Sequence, residues 1–83
     1  MESIKIINDQ GVKLQVIYQR QGNDKNGNPL YIVNIFRDSI NVNWKSNKKK
    51  DKYNNIKIRS YNINADIQYI CDSMDFNWIS VRF

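Results

Sequence analysis

Apolar residues recur at every second position along most of this chain, and that period admits a pleated sheet and little else. Val12, Leu14, Val16 and Tyr18 alternate with Lys13, Gln15, Ile17 and Gln19. Ile40, Val42 and Trp44 alternate with Asn41 and Asn43, and Ile56 and Ile58 with Lys57 and Arg59. Leu30 to Phe36 is nearly continuous in apolar side chains, which predicts a central strand buried on both faces. Ser3 to Asn8, with Ile4 and Ile6, predicts a first strand. The turn signal Asp9-Gln10-Gly11 folds it back on the second strand as a hairpin.

Between these runs lie polar stretches. Gln21 to Pro29 holds Asn26-Gly27, two glycines and the only proline, and predicts the strongest turn. Arg37-Asp38-Ser39 fits a tight turn, and Ser46 to Asn55 a solvated loop or hairpin tip. After Ser60 the apolar parity switches to Tyr61 and Ile63, which predicts a bulge or a strand end.

The period changes once. Ile63, Ile67, Ile70, Cys71 and Met74 form a stripe of helical spacing. Asn64 is the expected N-cap, Asp66 lies in the first turn where the helix dipole favours a carboxylate, and Asp75 to Asn77 ends the helix. Trp78 to Phe83 then predicts a last strand. The expected fold is α+β: an antiparallel sheet of four to five strands with one helix, in the C-terminal half, packed on one face. At 83 residues the chain suits a single domain spanning 1–83.

The same composition narrows the chemistry. There is no His and one Cys. A zinc site needs three or four N or S ligands, so no metal and no cofactor is expected. Ser-His and Cys-His nucleophiles are excluded as well. Cys71 belongs to the apolar stripe and reads as a small buried hydrophobe, and the chain carries no internal disulfide. Asp72 and Asp75 stand three apart at the helix end, a spacing that permits paired carboxylate chemistry but fits a solvated helix end better. No glycine pattern cradles a nucleotide. No catalytic residues are assigned, and the protein is expected not to be an enzyme. Nothing in it is apolar enough to span a membrane, and Met1 to Ile7 lacks the pattern of a secretory leader, so a cytoplasmic protein is expected.

The charge is concentrated. Residues 1–44 carry five basic and four acidic side chains, and residues 60–83 carry one basic and three acidic. Residues 45–59 carry seven basic and one acidic, a net of +6 where the whole chain has +5. Lysines displace counterions from nucleic acid, and aromatics beside a basic groove stack on unpaired bases. The candidate binding residues are therefore Lys45, Lys48, Lys49, Lys50, Lys52, Tyr53, Lys57 and Arg59. Trp44 shares the parity of Ile40 and Val42 and is expected in the core. The competing reading of the same segment is a solvated loop whose lysines protect a sheet edge.

Asn and Ile occur 13 times each, Lys nine and Tyr five, 40 of the 83 residues, all with codons rich in A and T. In length and composition the chain resembles the short α+β proteins of phages and mobile elements of AT-rich bacteria, anti-CRISPR-type inhibitors among them. That resemblance implies a stoichiometric binder, in the cytoplasm of a bacterial host cell, which blocks a nucleic-acid-handling system by occupying a surface. The expected partner is a host protein or nucleoprotein complex reached through the basic hairpin. The alternative is direct binding of single-stranded DNA or RNA. The half-exposed strands also allow a homodimer.

Overall fold

Alternation becomes sheet in the computed structural model, which describes residues 2–9 and 12–74. The strands are β1 (Glu2–Asp9), β2 (Val12–Asn23), β3 (Pro29–Arg37), β4 (Ile40–Asn41) and β5 (Ile56–Arg59). A 3-10 turn spans Asn43–Lys45, and the helix α1 spans Ile63–Asp72. All neighbours are antiparallel. β1 pairs β2 without a break, with Ile7 opposite Leu14 and Ile4 opposite Ile17. β2 pairs β3, with Val16 opposite Ile35 and Tyr18 opposite Val33. The register slips between Arg20 and Asn23, where Gly22 takes a φ of +67° that a Cβ would strain.

β3 is central, as its continuous apolar run predicts, but it is not buried on both faces: Val33 and Ile35 are buried, while Ile32, Asn34 and Phe36 on the other face are only half-buried. One edge belongs to β2. The other edge is shared: β5 pairs with Leu30 to Val33, and β4 with Phe36 and Arg37. The α+β architecture, an antiparallel sheet with one helix on one face, is the one expected. β5 ends at Arg59, so the parity switch marks a strand end; the N–H of Ser60 donates to the Pro29 carbonyl at 3.0 Å.

One face of the sheet is buried. Val12, Leu14 and Val16 of β2, Val33 and Ile35 of β3, and Ile56 and Ile58 of β5 join Ile67, Ile70, Cys71 and Met74 in a single core. Full burial of an Ile or Leu side chain stabilises by about 1.5–3 kcal/mol, so this stripe holds α1 on the sheet. The N-cap lies two residues earlier than expected. Asn62 is the N-cap, with non-helical backbone and a side-chain oxygen that accepts from the Ala65 N–H at 3.3 Å. Asn64 lies inside the helix, where its Oδ1 accepts from the Tyr18 hydroxyl at 3.4 Å. Asp66 is in the first turn as expected. α1 closes at Asp72, with Ser73 as C-cap. The expected stop at 75–77 and the expected strand at 78–83 lie outside the described residues.

The strand expected through Trp44 stops at Asn41. Asp38 and Ser39 both adopt left-handed backbone (φ 51° and 66°), as in the two-residue turns that match strand twist. β4 therefore pairs only with Phe36 and Arg37 before the edge of β3 passes towards β5. The gap is closed by a side chain. Asn43, fully buried, accepts the Ile35 N–H on its Oδ1 at 2.9 Å, while the Ile35 carbonyl accepts from the Val42 N–H at 2.8 Å. An asparagine thus does the work of a strand at this point. Val42 is buried as its parity required. Ile40 and Trp44 are 37% and 50% exposed, because the 3-10 turn redirects the chain before Trp44 can reach the core.

Candidate functional site

The basic segment is built around a turn that the chain uses twice. Asp24 to Asn28 reads DKNGN, and Asp51 to Asn55 reads DKYNN. In both, the N–H of the Asp donates to the carbonyl of the Asn four residues on, at 2.9 Å. In both, the fourth residue is left-handed and donates back to the Asp carbonyl at 3.0 Å. Asp24 Oδ1 accepts from the N–H groups of Asn26 and Asn28, both at 2.9 Å. Asp51 Oδ1 accepts from those of Tyr53 and Asn55, at 2.8 and 2.9 Å. The side-chain amide of each closing Asn donates to Oδ2 of its Asp, at 3.3 and 3.4 Å. These donors hold both carboxyls below the ordinary Asp range. The largest cause is the backbone N–H of Asn28 for Asp24 and of Asn55 for Asp51. The repeated D-K-x-(G/N)-N is legible in the sequence, but it shows only when the two loops are set side by side.

An asparagine network ties the second turn to the sheet. Asn34 of β3 donates from Nδ2 to Asn55 Oδ1 and accepts on Oδ1 from the amides of Asn41 and Asn43, each at 3.1 Å. Asn43 Nδ2 also donates to the Asn54 carbonyl at 2.7 Å. Asn54 Nδ2 donates to Asn41 Oδ1 at 3.3 Å. Five asparagines therefore lock the 3-10 turn, β4 and the basic turn into one unit. Sequence reasoning missed this, because asparagine at 13 of 83 positions reads as composition.

On this mount the basic residues divide into two groups. Lys49, Lys50, Lys57 and Arg59 line one cleft of about 310 Å³ together with Asp51. Lys50 is bridged to Ile56 through the backbone, which makes Asp51 to Asn55 the tip of a minimal hairpin. Its ammonium donates to the Ser46 carbonyl. Arg59 Nε meets Asp24 Oδ2 at 2.9 Å, which ties the end of β5 to the first turn. Lys45, Lys48, Lys52 and Tyr53 do not line that cleft. The Lys45 ammonium lies 4.7 Å from the Trp44 ring centroid, and that of Lys52 lies 5.0 Å from the Tyr53 ring centroid. Tyr53 is 72% exposed, as a stacking residue must be. Trp44, expected in the core, stands half exposed beside Lys45 and belongs with this surface.

Among the described residues the ion pairs are Arg37 with Asp38 and Arg59 with Asp24, and Lys48, Lys49, Lys52 and Lys57 enter neither. Asp51 is the only carboxylate of the segment, and its oxygens are engaged by the turn. With seven basic side chains against this one carboxylate, the segment keeps its net charge of +6. Cys71 is fully buried, as its place in the stripe required. Asp72 is exposed and accepts from Gln68 Nε2 at 2.8 Å, while Asp75 lies outside the described residues. A second cleft, of about 350 Å³, is lined by Ile6, Lys13, Gln15, Phe36, Asp38 and Ser39 and gathers no comparable charge. Comparison with known protein families, characterised proteins and solved structures returns no match.

Proposed function

We propose that this chain is a non-enzymatic binding protein whose Lys45–Arg59 surface docks on a phosphate-bearing partner within a nucleic-acid-handling system. In the bacterial cytosol, as the product of a phage or mobile element, it acts as a stoichiometric inhibitor of the anti-CRISPR kind. The observation that carries the reading is the mounting of the charge. The +6 segment is fixed to the sheet by a saturated turn, whose N–H groups hold its single carboxylate in place, and by an asparagine network. A segment serving solubility alone needs no such mount. Fixed cations lose less freedom on docking than a mobile loop does.

Direct contact with a single strand is favoured within this reading by one further observation. Trp44 and Tyr53 both stand exposed next to a lysine. They follow and precede Asn43 and Asn54, which are hydrogen-bonded to each other. Stacking of a base on such a ring contributes about 1–3 kcal/mol.

Titration of a fluorescent single strand of about 20 nucleotides at rising salt tests the proposal, with an expected log–log slope of about −0.7 for every phosphate neutralised. Trp44→Ala and Tyr53→Ala are expected to weaken binding without changing that slope. Binding that ignores salt, or no binding to a strand or to a nucleoprotein complex at low salt, contradicts it.

A further inference from the structure

We propose that the cleft between Lys49, Lys50, Lys57 and Arg59 is a seat for one phosphate group, the point at which the basic surface grips rather than merely attracts. The inference rests on the function proposed above and deepens it. Of the eight candidate binding residues, four converge here and four do not. The cleft holds four cationic side chains against one carboxylate, and that carboxylate already accepts three hydrogen bonds from its own turn. One carboxylate balances one of the four charges, and Asp24 balances a second through Arg59, so the cleft keeps an excess of positive charge.

Two of the four cations are held before any ligand arrives. Lys50 is tethered through its ammonium to the Ser46 carbonyl, on a backbone bridged to Ile56. Arg59 is held through Nε by Asp24, whose own position is fixed by the first turn. Lys49 and Lys57 are exposed, and can close on an anion from opposite sides of the hairpin tip. Two held cations and two adjustable ones reduce the ordering cost of binding while still allowing close contact. A guanidinium and ammonium groups together suit a tetrahedral oxyanion, with planar donors on one side and point charges on the other. At about 310 Å³ the cleft has room for a phosphate group. Phosphate is therefore the ligand chemistry, supplied by a nucleic-acid strand or by a small phosphoanion.

Two charge-matched double variants test this. K49Q/K57Q removes two charges inside the cleft, and K48Q/K52Q removes two outside it. All four lysines are exposed, so both variants are expected to fold. Against a single strand of about 20 nucleotides at fixed salt, the cleft pair is expected to lose at least about tenfold more affinity than the outer pair. Pyrophosphate added alone is expected to shift the amide resonances of residues 49–51 and 57–59 in the native protein, and to leave them still in K49Q/K57Q. Equal losses for the two pairs, with no response to pyrophosphate, overturn the seat and leave the broader binding surface standing. Pyrophosphate shifts without strand binding sustain the seat, assign it to a small phosphoanion and overturn the strand reading instead.

Discussion

The two DKxxN turns have one backbone and opposite surroundings. The first, Asp24 to Asn28, is sealed. Its carboxylate meets Arg59 at 2.9 Å, and Asn28 Oδ1 accepts from the Tyr61 hydroxyl at 2.9 Å. The second, Asp51 to Asn55, makes the same internal hydrogen bonds, but its carboxylate lies outside both described ion pairs. It is sealed from behind by the asparagine network, while Lys48, Lys49, Lys52 and Tyr53 stand outward around it. Folding requires the aspartate, the closing asparagine and the left-handed fourth residue, and both turns supply them. Folding does not require the lysines, because the first turn closes with Lys25 alone. What the second turn adds is charge in excess of what the fold uses, and that excess is the reason to read it as a contact surface.

The largest effect is expected where the second turn is anchored. Asn43→Ala leaves the buried Ile35 N–H without its acceptor and detaches the carbonyl of Asn54, an exposed residue. An unsatisfied buried donor costs about 1–3 kcal/mol, and with the ties to Asn34 and Asn54 lost as well the expected loss is about 3 kcal/mol in urea denaturation. Asn43→Ala with undiminished stability would break the claim that a side chain replaces a strand here.

Next come the turn carboxylates. Asp24→Ala and Asp51→Ala each remove three hydrogen bonds, and Asp24→Ala also removes the Arg59 pair, so it is expected to lower the melting temperature more. Both carboxyls titrate below the usual Asp range in the folded chain. Groups depressed in this way stabilise the fold above their unfolded pKa, about 3.9, and lose that contribution as pH falls through the folded value. Acid unfolding is therefore expected to steepen below about pH 4, and Asp51→Asn to make it shallower. An acid transition unchanged in both Asp24→Asn and Asp51→Asn would count against the shared turn chemistry.

Smaller still is the fourth turn position. Gly27 has φ +83° and nothing within 4 Å of where a Cβ would stand, so Gly27→Ala is expected to cost about 1 kcal/mol through backbone strain alone. Asn54, at φ +66°, tolerates the same region, and Asn54→Gly is expected to change backbone strain little while losing the Asn41 contact.

The sheet and the helix were legible because period-two and period-3.6 apolar spacing are direct projections of burial on one face. The inward residues Val12, Leu14, Val16, Ile56 and Ile58 follow from parity alone, whereas the continuous apolar run of β3 did not single out Val33 and Ile35 as its buried pair. Parity failed at Ile40 to Trp44, where alternation persists but the edge of β3 is already divided between two strands, a tertiary fact that no local pattern carries. The helix cap was misplaced by two residues because Asn62 and Asn64 are equal by residue type; only backbone geometry separates them. The basic segment was legible as charge. Its division into a cleft and a rim was not, since that depends on β5 bringing Lys57 and Arg59 back beside Lys49 and Lys50. The asparagine mount was hidden by the abundance of asparagine itself.

The central claim is that the outward lysines of the second turn serve contact and not folding. It is tested most directly by measuring stability and strand binding on one variant, K48Q/K49Q/K52Q. The expected result is an unfolding free energy within about 0.5 kcal/mol of the native chain, together with strand affinity reduced at least about tenfold and a shallower salt dependence. Lost stability with unchanged binding would contradict the claim.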